Sequence, residues 1–278
     1  MNMPFKTVLA LIGTEGAEAD MDKALTLSAE LEAHLSVIAV RPAISPLGAD
    51  YPVAASWLQE RQREIDELVE VQRRVEEQCR KSGLSFDIGS IYDDLFILES
   101  NIGARAMYVD LVVLGQGIRS DSGLRRAAVA ATAFDAETPL LLMPRTGMVG
   151  AKPGNVLLAW NSRPQAANAA KAALDMLVAA DMVHLVVVDP DASYFKNGEE
   201  PGADMAAYLS RHGCKVVVRQ FSSGERDVGH ILRQIAQELG CDMIVMGAYG
   251  HSRLRERIFG GVTASILEDC PIPVFMAR

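Results

Sequence analysis

The sequence has 278 residues, 49% hydrophobic and 23% charged, which is the balance of a folded globular protein and excludes a disordered or collagen-like chain. This length suggests two domains, with one large domain as the alternative. The formal net charge of −9, from 27 basic against 36 acidic side chains, opposes nucleic acid and anionic membranes as partners.

Strands and helices are predicted in alternation up to residue 143. Short apolar runs predict the strands, and apolar residues at helical spacing predict the helices. In chain order we expect a strand at 8–11, a helix near 21–34, a strand at 36–40, a helix over 56–81, a strand at 84–88, a helix at 95–106, a strand at 111–114, a helix at 124–134 and a strand at 140–143. The long helix carries a single apolar stripe, which favours packing on a sheet over a coiled-coil partner.

The same alternation returns after residue 152. Strands are predicted at 156–160, 183–188, 215–219, 243–246 and 274–276, and helices around the apolar residues of 166–177, 205–209, 228–239 and 262–267. Ser162 is the expected cap of the first of these helices, with Pro164 in its first turn. Asp227 is the expected cap of the third.

The two series are copies of one pattern. Residues 5–14 (FKTVLALIGT) resemble 153–162 (PGNVLLAWNS), residues 108–117 (YVDLVVLGQG) resemble 240–250 (GCDMIVMGAYG), and residues 138–145 (TPLLLMPR) resemble 272–278 (IPVFMAR). We therefore expect two domains, residues 1–147 and 152–278. Each is predicted to be α/β, with a five-stranded parallel sheet and helices on both faces. Ligands of such sheets bind beyond the carboxyl ends of the strands.

A glycine pattern follows the fourth strand of the second copy. Two residues separate Gly247 from Gly250, nine separate Gly250 from Gly260, and the last helix follows at once. Glycine lets a backbone approach a ligand closely, and a helix N-terminus favours phosphate. The loop between them carries the basic residues His251, Arg253, Arg255 and Arg257. A tight loop with solvated arginines is the structural alternative, but the spacing favours phosphate binding.

In this spacing the sequence resembles the universal stress protein family, whose nucleotide-binding members have Gly-two-Gly-nine-Gly-Ser/Thr after the fourth strand. The resemblance covers both copies. It implies Rossmann-like domains of the adenine nucleotide alpha hydrolase-like kind. It also implies ATP or another adenine nucleotide as ligand, with or without Mg²⁺. Pairing through the last strands would make the two domains an internal pseudo-dimer, and a homodimer is the further expectation.

Two residues of the second copy depart from the family pattern. Gly261 stands where the family has Ser or Thr, with Ser252 and Thr263 as nearby hydroxyls. Asn161 stands where many members have an Asp that faces the adenine. The predicted nucleotide-binding residues are Asn161, Val188, Gly247, Gly250, His251, Ser252, Arg253, Gly260, Gly261, Val262 and Thr263.

The first copy lacks this pattern. A single Gly115-x-Gly117 follows its fourth strand, and its first strand ends at Gly13 and Thr14 without an amide. The first half also carries a net charge of −8, from 14 basic and 22 acidic side chains in residues 1–150. We expect it to act as a degenerate partner of the second copy.

These patterns predict a stress-response or regulatory module that binds a nucleotide without fast turnover. One alternative is a slow ATPase or adenylate-handling enzyme, for which Asp189 and Asp191 are the nearby acidic residues. The other is a structural, dimerising protein that has lost the ligand. No P-loop, dinucleotide or hydrolase motif occurs, and the scattered cysteines have no metal-binding spacing. No apolar stretch approaches about 18 residues, so a cytoplasmic location is expected.

Overall fold

Apolar runs and helical periodicity alternate in the sequence, and the structure turns them into alternating strands and helices. The computed structural model describes residues 5–43, 55–147, 149–190, 200–248, 259–268 and 270–278. The chain divides into two compact units, Phe5–Thr138 and Pro139–Arg278. The predicted α/β class with a largely parallel sheet is confirmed. Within the described ranges, no helix combines the length and the apolar character needed to cross a membrane.

The unit Phe5–Thr138 begins with its central strand. The strands are β1 Thr7–Ile12, β2 His34–Pro42, β3 Phe86–Asp93 and β4 Leu111–Leu114. The helices are α1 Ala17–Leu31, α2 Ala55–Ser82, α3 Leu95–Ala106, α4 Gln116–Ser120 and α5 Ser122–Val129, followed by a π-helical segment at Ala130–Asp135. The strand order is β3-β2-β1-β4, and all these pairs are parallel. Helix α2 packs on α1, β2 and β3, as its apolar stripe predicted.

The unit Pro139–Arg278 repeats this plan. The strands are β5 Leu140–Leu142, β6 Asn155–Trp160, β7 Met182–Val188, β8 Val216–Phe221, β9 Met243–Gly247 and β10 Val274–Ala277. The helices are α6 Pro164–Ala172, α7 Leu174–Ala179, α8 Ala203–Arg211, α9 Val228–Glu238 and α10 Gly261–Glu268. The strand order is β5-β10-β9-β6-β7-β8, in which β5 alone of the described strands runs antiparallel to its partner, β10.

The pairing of β5 with β10 assigns β5 to this second unit. The sequence places β5 at the end of the first copy, yet Leu141 lies opposite Phe275 in an antiparallel ladder. Both strands are fully buried. Strands β5 and β10, the last strands of the two copies, therefore each cover an edge of the other, and this pairing removes an exposed edge from the sheet.

The two predicted helix caps have different outcomes. Asp227 caps α9, because its Oδ2 accepts a hydrogen bond from the backbone N–H of His230 at 2.8 Å. The predicted Ser162 cap is wrong. Helix α6 begins at Pro164 directly after Arg163, without a side-chain cap, and Ser162 lies in a turn with φ of 58°. The pyrrolidine ring of Pro164 presets the first helical residue, and that compensates for the missing cap.

The order of the strands determines where a crevice can open. Strand β6 lies between β9 and β7. The chain continues from β6 to β7 on one side, and the later strand β9 pairs with β6 on the other side, so the direction of strand order reverses at β6. In open parallel sheets this reversal separates the loops that follow adjacent strands, so a ligand crevice forms beyond their carboxyl ends. The loops after β6 and β9 meet this condition.

Candidate functional site

A pocket of about 390 Å³ opens at the carboxyl ends of β6, β7 and β9. Its apolar lining comes from the ends of these strands and from the start of α9: Ala159, Val186, Val188, Met246, Val228 and Leu232. Its polar lining includes Asn161, Arg163, Gln165 and Thr263. An apolar body with a few convergent polar groups is the usual composition of a small-molecule site.

The predicted site residues that the structure describes converge on this pocket. Seven of them line it: Asn161, Val188, Gly247, Gly260, Gly261, Val262 and Thr263. The other four, Gly250, His251, Ser252 and Arg253, lie outside the described residues. Residues about 100 positions apart in the sequence therefore surround one cavity.

Asn161 is fixed by a local turn at the end of β6. Its Oδ1 accepts a hydrogen bond from the backbone N–H of Arg163 at 3.2 Å, across Ser162 with its positive φ. Asn side chains favour this type of turn because the short amide bonds to the backbone two residues ahead. With Oδ1 engaged, the Nδ2 hydrogens remain as the donors that the side chain offers to a ligand.

Gly247 and Gly261, two of the three described glycines beside the pocket, have different surroundings. A Cβ built on Gly247 would lie 2.6 Å from the carbonyl carbon of Gln165 and 2.7 Å from the backbone nitrogen of Ala166. The end of β9 therefore touches the first turn of α6, and only glycine permits that approach. A Cβ on Gly261 would meet no atom of the described residues within 4 Å, so they leave space at the first position of α10.

A hydrogen-bond network holds α10 against α9. The Ser265 hydroxyl donates to Oδ2 of Asp227 at 2.6 Å, and Nη1 of Arg233 donates to the Ser265 carbonyl at 2.6 Å. Gly229 allows the close packing, since its Cβ would lie 2.8 Å from that of Ser265. The first turn of α10, which lines the pocket, is thus positioned by side chains outside it. The positive end of the helix dipole at this turn favours an anion.

Asp189, the acidic residue considered for an enzyme, stabilises a turn. Its Oδ1 accepts the backbone N–H of Ser223 at 3.0 Å, and hydrogen bonds from the side chain and backbone of Ser223 hold the pKa of Asp189 below its ordinary value. Asp191 lies outside the described residues. No carboxylate occurs among the described lining residues, so the pocket they form presents amide, hydroxyl and guanidinium groups.

At the corresponding place in the first unit, the segments that follow β1 and β4 lie against each other. A Cβ on Gly13 would lie 2.7 Å from the carbonyl carbon of Gly117, so these backbones touch after β1 and β4. Asp20 is 1% exposed, and its Oδ2 accepts the N–H of Gly117 at 3.1 Å. Burial raises the pKa of Asp20, while hydrogen bonds from Gln116 and Gly117 oppose that shift. The carboxylate of Asp20 thus occupies backbone N–H donors at the start of α4.

Sequence reasoning missed several lining residues. Arg163 and Gln165 follow Asn161 within four positions and enter the pocket with it. Their nearness to Asn161 was a usable signal. Val228 and Leu232 were assigned to the apolar face of α9, and the sequence gives no sign that the first turns of this face also border a cavity.

Known proteins share the fold of this chain, and one family shares the sequence pattern of its second copy. Residues 153–278 match the sequence model of the Universal stress protein family. The chain resembles a crystal structure described as a universal stress protein from Archaeoglobus fulgidus, with a TM-score of 0.64, 16% identity, and coverage of 97% of this chain and 98% of that one. It also resembles a functionally unknown protein from Pseudomonas aeruginosa, with a TM-score of 0.57, 13% identity, and coverage of 99% and 92%.

At these identities the likeness to solved structures establishes the fold. Because both structures span nearly all of this chain, the likeness extends over the two copies. No curated protein sequence matches the chain significantly.

Proposed function

Residues 153–278 belong to the universal stress protein family, and from this premise we propose that the protein is a stress-response or regulatory module that binds an adenine nucleotide in the pocket beyond β6, β7 and β9. The observation that carries the proposal is the convergence of seven predicted binding residues on one cavity. ATP is the first ligand to test, with ADP and AMP as the other members of its class.

The lining of the pocket offers groups that suit both the base and the phosphates of a nucleotide. The apolar side chains of Val186, Val188 and Leu232 offer surfaces to an aromatic base. Gly260 directly precedes α10 and Gly261 begins it, and the first N–H groups of a helix, which lack intrahelical partners, favour phosphate. Arg163 adds a cation to the same lining. Any Mg²⁺ would arrive with the phosphates, since no cluster of three or more metal-binding side chains occurs among the described residues.

The pocket supports binding better than rapid hydrolysis. A hydrolase needs a group that orients the attacking water, usually with a metal ion that neutralises the phosphates. Asp189 is already engaged by Ser223, and the described lining contributes no other carboxylate. We therefore assign the site a binding role, with turnover slow or absent.

A thermal-shift comparison tests this proposal on the full chain. ATP or AMP should raise the melting temperature, because a ligand that binds only the folded state stabilises it. Gly260→Val should abolish the shift, since its Cβ would intrude where phosphate meets α10. Gly89→Val is the matched control, because Gly89 lies in β3 of the other unit and a Cβ there meets only Nη2 of Arg105 at 3.7 Å.

Two results would contradict the proposal. One is the absence of a shift with every adenine nucleotide, and the other is an equal shift in the wild type and in Gly260→Val. Phosphate release measured over hours on the same samples separates a binding module from a slow ATPase.

A further inference from the structure

A chain of hydrogen bonds joins four polar side chains near the amino-terminal ends of β2 and β3. The Ser85 hydroxyl lies 2.8 Å from Nδ1 of His34, and Nε2 of His34 lies 2.9 Å from Oδ2 of Asp87. The Ser36 hydroxyl donates to Oδ1 of Asp87 at 3.0 Å. All four residues belong to the unit Phe5–Thr138, so they are separate from the nucleotide pocket of the other unit.

The pairing of the two strands brings these side chains together. Ser36 lies opposite Asp87 in the parallel ladder, and His34 lies two residues before Ser36, on the same face of β2. Ser85 lies two residues before Asp87, just ahead of β3. The backbone N–H of Leu35 donates to the Ser85 carbonyl at 3.0 Å, which holds this segment against β2. The backbone therefore sets the positions of all four groups.

The carboxylate of Asp87 determines which nitrogen of His34 carries the proton. A carboxylate only accepts hydrogen bonds, so Nε2 is the protonated nitrogen and donates to Asp87. In a neutral imidazole Nδ1 is then the acceptor, and the Ser85 hydroxyl donates to it. This is the tautomer in which an imidazole can remove the proton of a serine hydroxyl.

We propose that Ser85 is a nucleophile for the hydrolysis of esters, with His34 as its general base and Asp87 as the positioning residue that orients the imidazole. A serine bonded to a base that a third group orients is the arrangement that activates a hydroxyl, and it recurs on unrelated folds. The His34 side chain is 36% exposed and that of Asp87 54%, so the site is open to solvent. Its substrate class is the ester of a small acyl group.

The exposure of these groups favours reactivity over stability as their role. Hydrogen bonds between exposed polar side chains replace bonds to water and contribute little to folding. Ser85 and Asp87 are both exposed, yet both bond to His34. The bond from Ser36 to the second carboxylate oxygen restricts Asp87 to the orientation that His34 needs. The chain of bonds therefore pre-organises a base beside a hydroxyl.

The edge of the sheet supplies a donor next to the nucleophile. Among the described strands, β3 pairs with β2 alone. Because the Ser85 carbonyl points toward β2, the next backbone N–H, that of Phe86, points away from β2 toward the open edge. The N–H of the residue after a nucleophilic serine is a recurrent donor to the oxyanion that forms when the serine attacks a carbonyl.

The reaction has two steps and consumes one water. First, Oγ of Ser85 bonds to the carbonyl carbon while its proton passes to Nδ1 of His34. The ester C–O bond breaks, its electron pair leaves with the alcohol oxygen, and that oxygen takes the proton from Nδ1. Next, water attacks the acyl-serine and gives a proton to Nδ1. The bond from Oγ to the acyl carbon breaks, a carboxylic acid leaves, and the proton returns from Nδ1 to Oγ.

Hydrolysis of p-nitrophenyl acetate by the full chain tests the proposal. The wild type should release p-nitrophenol faster than buffer does, and peptide mapping during turnover should find the acetyl group on Ser85. Ser85→Ala and His34→Gln should each lower the rate by about ten-fold or more, since a positioned general base contributes about 10²–10⁴-fold. Ser82→Ala is the matched control, because the Ser82 hydroxyl donates to the Cys79 carbonyl and has no base beside it, and it should keep the full rate.

Asp87→Asn tests the positioning role separately. It should lower kcat and leave KM and the melting temperature unchanged, because the carboxylate orients His34 without touching the ester. A wild-type rate equal to that of buffer would overturn the proposal. A rate that survives in Ser85→Ala and falls only in His34→Gln would also overturn it, since the imidazole would then attack the ester directly. An equal loss in Ser82→Ala would have the same meaning for Ser85.

Discussion

Gly261 is the residue at which this chain departs most clearly from the family's glycine pattern. At its exposed position at the start of α10, an added Cβ would have no neighbour within 4 Å among the part of the chain that the structure describes. Its φ lies outside the left-handed region, so a side chain can be added without backbone strain. Packing among the described residues therefore does not require glycine at this position. The absence of a hydroxyl here removes one possible contact to a ligand.

Replacing Gly261 with Ser should tighten ATP binding. The new hydroxyl can donate to a phosphate oxygen, which is expected to contribute about 1 kcal/mol, or about five-fold in the dissociation constant. Gly261→Ala is the control, because it adds the same Cβ without the donor. Titration calorimetry on the three proteins decides the matter, and equal affinities for the Ser and Ala variants would show that no phosphate lies within reach.

His184 is expected to make the stability of the second unit depend on pH. It is 7% exposed in β7, and its Nδ1 accepts a hydrogen bond from Nε of Arg219 at 3.2 Å. Burial, and then the nearby Arg219 cation, lower the pKa of His184 below 6.5. Protonation would remove the acceptor and place two cations side by side.

The free energy of unfolding should therefore fall as the pH drops below about 6.5, because the unfolded chain takes up a proton that the folded chain resists. Urea midpoints measured between about pH 7.5 and about pH 5.5 should decrease in the wild type. His184→Gln, which cannot titrate, should show a smaller decrease over the same interval. Parallel curves for the two proteins would remove His184 as a cause.

At the scale of elements, the pocket depends on how closely the end of β9 approaches the start of α6. Gly247 permits this contact, and the Asp227–Ser265–Arg233 network places α10 on the other side. The cavity therefore lies between two helix N-termini whose positions are set by packing around them. Substitutions at Gly247 or in the Asp227–Ser265–Arg233 network should therefore change the shape of the pocket without changing which functional groups line it.

Gly247→Ala should destabilise the fold by about 1–3 kcal/mol, since the added methyl meets backbone atoms of Gln165 and Ala166 that cannot rotate away. Gly261→Ala adds the same group in open space and should change stability little. Urea unfolding of the two variants provides the comparison. Equal midpoints would mean that α6 shifts freely relative to β9.

The elements most accessible to sequence reasoning are those with continuous burial. Strands such as β4 and β9 are buried along almost their whole length, and their apolar runs reveal them directly. Helix α3 was predicted with its observed bounds. The polar, glycine-containing helix α4 was missed, because Gln116–Ser120 is held by packing around Gly13 and Asp20 and not by helix propensity.

The candidate site was predictable to a similar extent. Its glycines and Asn161 follow strands directly, so a strand count locates them. Val228 and Leu232 could not be found in this way, since apolar residues on α9 look the same whether they face the sheet or a cavity. The sequence predicts one helix over residues 166–177, whereas the structure divides it at Ala173, where α6 ends and α7 begins without any glycine or proline to signal the break.

At the scale of the whole molecule, the two copies of the pattern differ at the carboxyl ends of their strands. In the unit Phe5–Thr138 the backbones of Gly13 and Gly117 touch, and Asp20 supplies a carboxylate to the loop after β4. In the unit Pro139–Arg278 a pocket lies beyond the corresponding strand ends, those of β6, β7 and β9. An anionic ligand would have to displace Asp20 to reach the backbone donor of Gly117 after β4, in a half that carries a net charge of −8. We propose that each chain binds one nucleotide.

Calorimetric titration of the full chain with ATP measures how many nucleotides each chain binds. We expect one binding site per chain, with binding lost in Gly260→Val and retained in Gly89→Val. Two sites per chain, or one site that survives in Gly260→Val, would contradict the assignment of the ligand to the pocket beyond β6, β7 and β9.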